Sequence, residues 1–156
     1  MTGAAVARVR RVRVADLPRV AQLAAEHAAY ERAAPPPTDL ARRLEVLLFG
    51  TETPRLRCFV AELNEEEIIG YASCAPEVST WDGAEYLHMD CLFLHEGHRG
   101  LKVGPLLVEA VVAEARALGL GQVQWQTPPW NTDAIRFYDR LGAQAKEKLR
   151  YHLPAG

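Results

Sequence analysis

The arrangement of apolar and polar residues predicts a chain of alternating strands and helices. Residues 6–14 alternate valine with arginine, a pattern that is typical of a strand with one buried face. Residues 17–30 instead place apolar side chains every three or four positions, which predicts a helix capped by Asp16. A second helix is expected over residues 39–49, after a proline-rich break.

The rest of the chain repeats this alternation with short links. Gly119 is expected to stop a helix that follows a glycine-rich segment, and Gly142 is expected to end a short helix that begins near residue 132. Further strands are predicted at residues 56–63, 67–76, 85–94, 122–126 and 143–152. The sequence therefore predicts an α/β or α+β fold, in which a mixed central sheet is flanked by about four helices.

Composition narrows the class of protein. The 156 residues fit one domain, and 49% hydrophobic with 24% charged residues is typical of a globular protein. A formal net charge of -2 argues against a nucleic-acid partner. The sequence contains no apolar run of the roughly 20 residues that span a bilayer, and no signal-peptide core, so a cytoplasmic protein without membrane contacts is expected. Cys58, Cys74 and Cys91 have no metal-ligand spacing, which predicts reduced thiols and no metal.

The stretch from His88 to residue 112 carries the strongest chemical signal. An apolar strand leads into a glycine-rich basic turn, and a helix follows. The first N–H groups of a helix attract anions, and Arg99 and Lys102 add positive charge. Gly100 and Gly104 allow close approach of a ligand to the backbone. The sequence therefore predicts a phosphate site, although an ordinary strand-to-helix turn with solvated basic residues is the alternative.

Two common nucleotide motifs are missing from this turn. No Gly-Lys-Ser/Thr closes a phosphate-binding loop of the ATPase type, and no Gly-x-Gly-x-x-Gly marks a dinucleotide site. The predicted anion therefore belongs to neither ATP nor NAD.

Two segments resemble the GNAT N-acetyltransferases. Residues 99–104 (Arg-Gly-Leu-Lys-Val-Gly) resemble the acetyl-CoA pyrophosphate loop of that superfamily, Gln/Arg-x-x-Gly-x-Gly/Ala, except that Lys102 replaces the inner glycine. Residues 130–143 are similar to its Asn-x-x-Ala-x-x-Phe-Tyr-x-x-x-Gly block. The resemblance implies the GNAT fold, acetyl-CoA as co-substrate and a homodimer. It also implies these CoA-binding residues: Leu92, Phe93, Leu94, Arg99, Gly100, Leu101, Lys102, Val103, Gly104, Pro105, Asn131 and Tyr138.

Other stretches resemble the spermidine/spermine branch of the superfamily, which includes diamine and thialysine acetyltransferases. Residues 29–31, 48–50, 58–62 and 79–83 carry this likeness. The chain departs from the branch at residues 88–91, which read His-Met-Asp-Cys where the branch has Tyr-Leu-Glu-Asp. Because a dicationic polyamine needs several carboxylates, amino acids, thialysine-like amines and other amine-bearing compounds remain open as substrates.

Asp90 is the candidate base that removes a proton from the amine, acting through water because its side chain is short. Strand alternation is expected to place it on the same face as His88 and Leu92. His88 is the rival base, since histidine titrates near neutral pH. The structural alternative for Asp90 is an acid at a strand end or one paired across a hairpin. The structural alternative for His88 is a partly buried histidine without a catalytic role.

The resemblance gives further residues a role. Tyr138 would donate a proton to the departing sulfur, or it is a core aromatic beside Phe137. Asn131 or Thr132 is expected to cap the last helix, and Asn131 is either only a cap or also a contact of CoA. Substrate contacts are expected from Tyr30, Glu31, Trp81, His88 and Asp90, with surface or core roles as the alternative for Glu31 and Trp81.

The sequence thus predicts an enzyme that moves the acetyl group of acetyl-CoA to a primary amine of a small molecule, of polyamine, lysine-analogue or diamino type. The amine would attack directly in a ternary complex. Two alternatives remain, a non-catalytic acyl-CoA-binding module and a protein N-terminal or lysine acetyltransferase.

Overall fold

The computed structural model describes residues 6–65, 67–99 and 102–156. The chain forms two compact units, Met1–Gln126 and Thr127–Gly156. Among the described residues, the first unit holds five strands and three α-helices, and the second holds one α-helix. The predicted mixed sheet with about four helices is therefore confirmed. None of the helices in the described ranges is long and apolar enough to cross a membrane.

The strands form one sheet in the order of the sequence. The strands are β1 (Ala7–Arg11), β2 (Arg57–Leu63), β3 (Glu67–Ser79), β4 (Ala84–Leu94) and β5 (Val123–Gln124). Neighbouring strands from β1 to β4 are antiparallel, and β5 runs parallel to β4. Short links join β2 to β3 and β3 to β4, as a hairpin allows, whereas two helices separate β1 from β2 and a helical crossover makes the parallel step from β4 to β5.

The helices begin and end close to their predicted positions. Pro18 lies in the first turn of α1, where a missing N–H costs nothing. Asp16 lies at the N-cap position of α1, but its carboxylate accepts hydrogen bonds from Arg10 and from the backbone of Arg13. The helices are α1 (Leu17–Tyr30), α2 (Leu40–Phe49), α3 (Val103–Ala117) and α4 (Thr132–Arg140), with a 3-10 turn at Val14–Asp16 before α1.

The first unit buries apolar residues on both faces of its sheet. Leu17 and Leu23 of α1 pack in one cluster with Val60, Tyr71 and Phe93 of the sheet. Helix α3 packs on the opposite face, against β1 to β4. Fully burying a side chain such as Leu23 contributes about 2 kcal/mol. Helices α1 and α3 both pack against β4, which carries the candidate bases His88 and Asp90.

Of the two strands predicted nearest the C-terminus, one is present but shorter and the other is wrong. The strand expected at 122–126 shortens to Val123–Gln124, and the strand expected at 143–152 is absent from the described residues. Residues 144–150 include five charged or amide side chains, all exposed. Leu149 and Tyr151 alternate as a strand requires, but both are exposed, so this segment has no buried face of its own.

Candidate active site

A β-bulge interrupts the pairing of β4 with β3 at the predicted base. Met89 pairs with Cys74 and Cys91 pairs with Ser73, so Asp90 is an extra residue without a cross-strand partner. A bulge bends the strand and redirects the side chain at the extra position. The Asp90 side chain is accordingly 64% exposed, between the buried Met89 and the half-buried Cys91.

The bulge also changes which residues share a face of β4. His88 Nε2 lies 3.8 Å from Asp90 Oδ1, so these two side chains meet, as predicted. Leu92 was expected beside them, and that prediction is wrong, because the extra residue reverses the alternation. Leu92 shares its face with Leu94, which borders the same small space as Leu107 of α3.

The edge of β4 beyond the bulge is open in the described part of the chain. The parallel ladder with β5 has two pairs, at Leu87 and His88, and it ends before Asp90. The backbone from Leu92 to Leu94, predicted to hold the acetyl and pantetheine groups, lies beyond that ladder. An unpaired strand edge can bind an amide-bearing ligand through its backbone N–H and C=O groups.

Glu31, at the end of α1, has a hydrogen-bonding partner on the same helix. It contacts Nε2 of His27, one helical turn earlier, and His27 Nδ1 lies 3.1 Å from the Tyr71 hydroxyl of β3. The imidazole also stacks on Phe93 of β4, with ring centroids 5.0 Å apart. Part of the hydrogen-bonding capacity of the Glu31 carboxylate is therefore used by the protein itself, which the sequence prediction of a substrate contact did not include.

Cys91 connects this cluster to the predicted base. Its thiol donates to Asp90 Oδ2 at 3.6 Å, and Cys91 packs against the core cluster that contains Tyr71, whose hydroxyl interacts with the thiol. Burial, together with the charge of Asp90, raises the pKa of the Cys91 thiol to about 11. Burial also raises the pKa of Tyr71 well above its usual range. Both groups therefore stay protonated at neutral pH.

The predicted pyrophosphate loop is described at its two ends, whereas Gly100 and Leu101 lie outside the described residues. The Arg99 guanidinium lies over the ring of Tyr30, 4.4 Å from its centroid, and 5.5 Å from that of Phe93. This cation–π contact holds Arg99 against the end of α1. Tyr30 thus contacts the predicted CoA loop.

Lys102 adopts a left-handed backbone, with φ 59° and ψ 27°, immediately before α3. The motif that residues 99–104 resemble has a glycine here, and a non-glycine residue in this region costs roughly 1–2 kcal/mol. Val103 and Gly104 are buried in the first turn of α3, and Pro105 follows them. The first turn has the free N–H groups and dipole that bind an anion.

The second unit holds the remaining predicted CoA residues. Asn131 caps α4 by accepting a hydrogen bond from the backbone N–H of Ala134 at 3.3 Å, so the predicted cap is confirmed. The ring of Tyr138 lies 5.3 Å from that of Phe137, centroid to centroid. The predicted CoA contacts of Asn131 and Tyr138 stay predictions.

Trp81 lies beyond the opposite end of β4 from Phe93. It occupies the turn between β3 and β4 and is 95% exposed. The stretch of β4 from Ala84 to Phe93 spans roughly 30 Å, at 3.3 Å per strand residue, so Trp81 lies far from Phe93 and from His27, which stacks on it. Asp90, His88, Glu31 and Tyr30 instead lie along one stretch of the sheet and α1.

Sequence reasoning missed His27 and Tyr71. The one local signal was the spacing of His27 and Glu31, which places both on one side of a helix. The contact with Tyr71 joins residues 44 positions apart and depends on how α1 packs on the sheet. No pattern within a single segment shows such a contact.

Comparisons with known proteins show which proteins this chain is similar to. Residues 19–143 match the family model described as the acetyltransferase (GNAT) family. An L-ornithine N5-acetyltransferase of Arabidopsis thaliana is 32% identical over 89 residues, which cover 57% of this chain and 39% of that protein. A thialysine N-epsilon-acetyltransferase of Caenorhabditis elegans is 30% identical over 101 residues, covering 62% and 59%. The chain thus matches about half the length of these curated relatives.

The fold has close structural neighbours. An aminoglycoside N-acetyltransferase solved in complex with CoA superposes with a TM-score of 0.81. The match covers 100% of this chain and 99% of that one, at 18% sequence identity. This likeness confirms the predicted fold, and the family match spans most of the sequence. The chain therefore belongs to the GNAT acetyltransferase family.

Proposed function

We propose that this protein transfers the acetyl group of acetyl-CoA to a primary amine of a small molecule. The observation that carries the proposal is the bulge in β4, which exposes Asp90 where the ladder with β5 has ended. A carboxylate beside an open strand edge can accept the proton of an amine that attacks an acyl group bound along that edge. The family assignment supports acetyl-CoA as the acyl donor.

In this proposal, two parts of the protein bind acetyl-CoA. The first turn of α3 and Arg99 bind the pyrophosphate through N–H groups and charge. The backbone from Leu92 to Leu94 binds the pantetheine and orients the thioester carbonyl. Gly100, Leu101 and Asn131 are further proposed CoA contacts.

The reaction is a direct displacement in a ternary complex. A lysine-like ammonium with a pKa near 10.4 must first lose a proton, which Asp90 accepts through a water molecule. The amine nitrogen then forms a bond with the thioester carbon, and the carbon–sulfur bond breaks. Tyr138 donates a proton to the departing thiolate, and the second proton that the nitrogen loses as the amide forms restores the phenol. His88, 3.8 Å from Asp90, is the alternative base.

The substrate belongs to the class of small molecules that carry a second charged group. The curated relatives are named for ornithine and thialysine, both of which are diamino acids. Glu31 and Tyr30 at the end of α1 are the proposed contacts for that group. Because Glu31 is engaged with His27, it offers less negative charge to a polyamine, which favours a diamino acid or lysine analogue over spermidine.

Acetyl-CoA turnover across a panel of amines tests the proposal. Polyamines, lysine analogues, diamino acids and aminoglycosides are each assayed for CoA release, with wild type and Tyr138→Phe. Rapid turnover of one class, slowed by about 10- to 100-fold in the variant, is the expected result. Binding of CoA without turnover of any amine would favour the non-catalytic module. Turnover of peptides alone would favour a protein acetyltransferase.

Three further proposals concern the setting of the site. The two units form one domain, because the family match runs from residue 19 to residue 143 across both. The protein acts in the cytoplasm. It forms a homodimer, in which the exposed alternating residues Leu149, Tyr151 and Leu153 are candidates for the contact with a second copy.

A further inference from the structure

A series of five neighbouring polar groups runs from the predicted base, along the α1 side of the sheet, to the end of α1. The Cys91 thiol donates to Asp90 Oδ2 at 3.6 Å, and Cys91 packs against the core cluster that contains Tyr71, so the thiol and the Tyr71 hydroxyl interact on the same face of the sheet. Tyr71 lies 3.1 Å from Nδ1 of His27, whose Nε2 contacts Glu31. We refer to these five residues, Asp90, Cys91, Tyr71, His27 and Glu31, as the relay chain.

Each interior member of the relay chain can both donate and accept a hydrogen bond. A thiol, a phenol and an imidazole each exchange one proton for another without a net change of charge. Tyr71 is 4% exposed, and Phe93 covers the imidazole of His27, so bulk water is kept from the middle of the chain. The Glu31 side chain is 33% exposed, so the far end reaches solvent.

We propose that the relay chain carries the proton of the amine from Asp90 to His27, beside Glu31. The proposal rests on the function proposed above. A bound amine and acetyl group would cover Asp90, which leaves the interior of the sheet as the other exit for the proton. The sequence does not suggest this path, because its members come from α1, β3 and β4.

The proton balance of the transfer is simple. After Asp90 has accepted a proton, its carboxyl group donates to the sulfur of Cys91, the thiol donates to the oxygen of Tyr71, and the hydroxyl donates to Nδ1 of His27. When each proton moves one bond along, Asp90 is again a carboxylate and His27 is an imidazolium that faces Glu31. The number of protons is the same before and after, and no covalent bond between heavy atoms changes.

The raised pKa values of the two middle groups agree with this path. Burial raises the pKa of Cys91 to about 11 and that of Tyr71 further, so neither group holds a negative charge between transfers. The charges stay at the two ends, on Asp90 and on the His27–Glu31 pair. A path of neutral groups between charged ends avoids the cost of an ion in the apolar interior.

Four variants test the path by its connectivity. Tyr71→Phe, Cys91→Ala and His27→Gln each interrupt the chain and are expected to lower kcat about 10- to 100-fold, with the KM for the amine within about 3-fold. Cys91→Ser keeps a group that donates and accepts, and is expected to retain most of kcat. The control is Tyr86→Phe, which removes a hydroxyl that donates to Glu77 at 3.0 Å on the surface and should leave kcat unchanged.

Solvent isotope effects separate proton transfer from simple positioning. In mixtures of H2O and D2O, the wild-type rate should fall along a bowl-shaped curve, because several protons move together. Tyr71→Phe should give a straight line. A straight line for wild type, or losses in the three interrupted variants no larger than in Tyr86→Phe, would overturn the proposal.

A second measurement does not depend on turnover. Ring 15N chemical shifts are recorded for the five histidines, with His27 assigned through His27→Gln. Asp90→Asn should change the His27 shifts in the wild-type background and leave them unchanged in Tyr71→Phe. His88 lies 3.8 Å from Asp90 and should respond in both backgrounds, as a positive control.

The two measurements distinguish the possible failures. If no amine is turned over but Asp90 and His27 are coupled through Tyr71, the proposed acetyltransferase function fails and the connectivity of the relay chain stands. If His88 responds to Asp90→Asn and His27 does not, the relay chain is disproved whatever the enzyme acetylates.

Discussion

Two polar clusters lie on opposite faces of the same sheet, and they differ in the charge of their groups. Under α3, Glu114 is buried between Arg11 and Arg57, and we refer to these three residues as the α3-face cluster. Arg11 donates to Glu114 Oε1 at 2.8 Å and lies 2.7 Å from Oε2, while Arg57 lies 3.7 Å from Oε2. The relay chain on the other face has neutral groups in its middle.

The difference shows what each cluster can do. The hydrogen bond from Arg11 lowers the pKa of Glu114, so this carboxylate stays ionised and ties α3 to β1. In such an ion pair the arginine keeps its protons and the carboxylate stays unprotonated, so no proton is passed on. Thiol, phenol and imidazole groups can shift protons at little cost, and we therefore assign stability to the α3-face cluster and chemistry to the relay chain.

The largest expected effect comes from the charged end of the relay chain. Asp90→Asn removes the proposed base and keeps the size of the side chain, so kcat should fall about 100- to 10,000-fold. Thermal stability should be unchanged, because Asp90 is largely exposed in its bulge. The rate with the preferred amine and the melting temperature are measured together. Glu77→Gln, an exposed acid on β3, is the matched control and should leave both unchanged.

A small loss of rate in Asp90→Asn would remove Asp90 from the role of base. In that case His88→Gln should produce the large loss, since His88 is the nearest alternative.

The second effect acts on the α3-face cluster and is expected in stability alone. Arg11→Met removes the nearer cation of a buried carboxylate and should destabilise the fold by roughly 2 kcal/mol, below the full cost of an unpaired buried charge because Arg57 remains. The midpoint of urea unfolding measures it. The kcat of the folded variant should equal that of wild type. A fall in kcat without loss of stability would break the proposed division between the two clusters.

Lowering the pH should remove the contribution of the α3-face cluster to stability. The folded-state pKa of Glu114 is lowered from its ordinary value of 4.5, chiefly by the hydrogen bond from Arg11. Its contribution to stability is therefore complete above pH 4.5 and is lost as the pH falls through the lower, folded-state pKa. The difference in melting temperature between wild type and Arg11→Met should shrink as the pH falls below 4.5. A constant difference down to pH 3 would contradict this assignment.

The sequence predicted the elements of the fold well because each is encoded locally. The periodicity of residues 17–30 and the proline at residue 18 define α1, and Asn131 caps α4 as expected. The predicted segment 143–152 failed because alternation of side chains is only half of a strand. The other half is a neighbouring ladder, which the local pattern does not contain.

The site was predictable only in part. Asp90 was predicted as the base because an acid within an apolar run needs a partner or a function, and this role stays a prediction. The bulge that exposes it depends on the register of β4 against β3, and strict alternation therefore misplaced Leu92. His27 and Tyr71 were missed because their contact arises from tertiary packing.

The smallest predicted effect compares two cysteines, one on each face of the sheet. Cys74 is fully buried near Glu114, and burial raises its pKa to about 12. Cys74→Ser places a more polar hydroxyl in that apolar site and should cost about 1–2 kcal/mol. Cys91→Ser should cost less than about 0.5 kcal/mol, because the new hydroxyl keeps Asp90 and Tyr71 as partners.

The two serine variants are compared by the midpoint of urea unfolding and by kcat. The expected pattern is a stability loss confined to Cys74→Ser with kcat preserved in both. Equal stability losses would mean that the thiol of Cys91 serves mainly as an apolar filler, like that of Cys74. The polar contacts of Cys91 would then be incidental, and the contrast between a structural face and a chemical face of the sheet would rest on Asp90 alone.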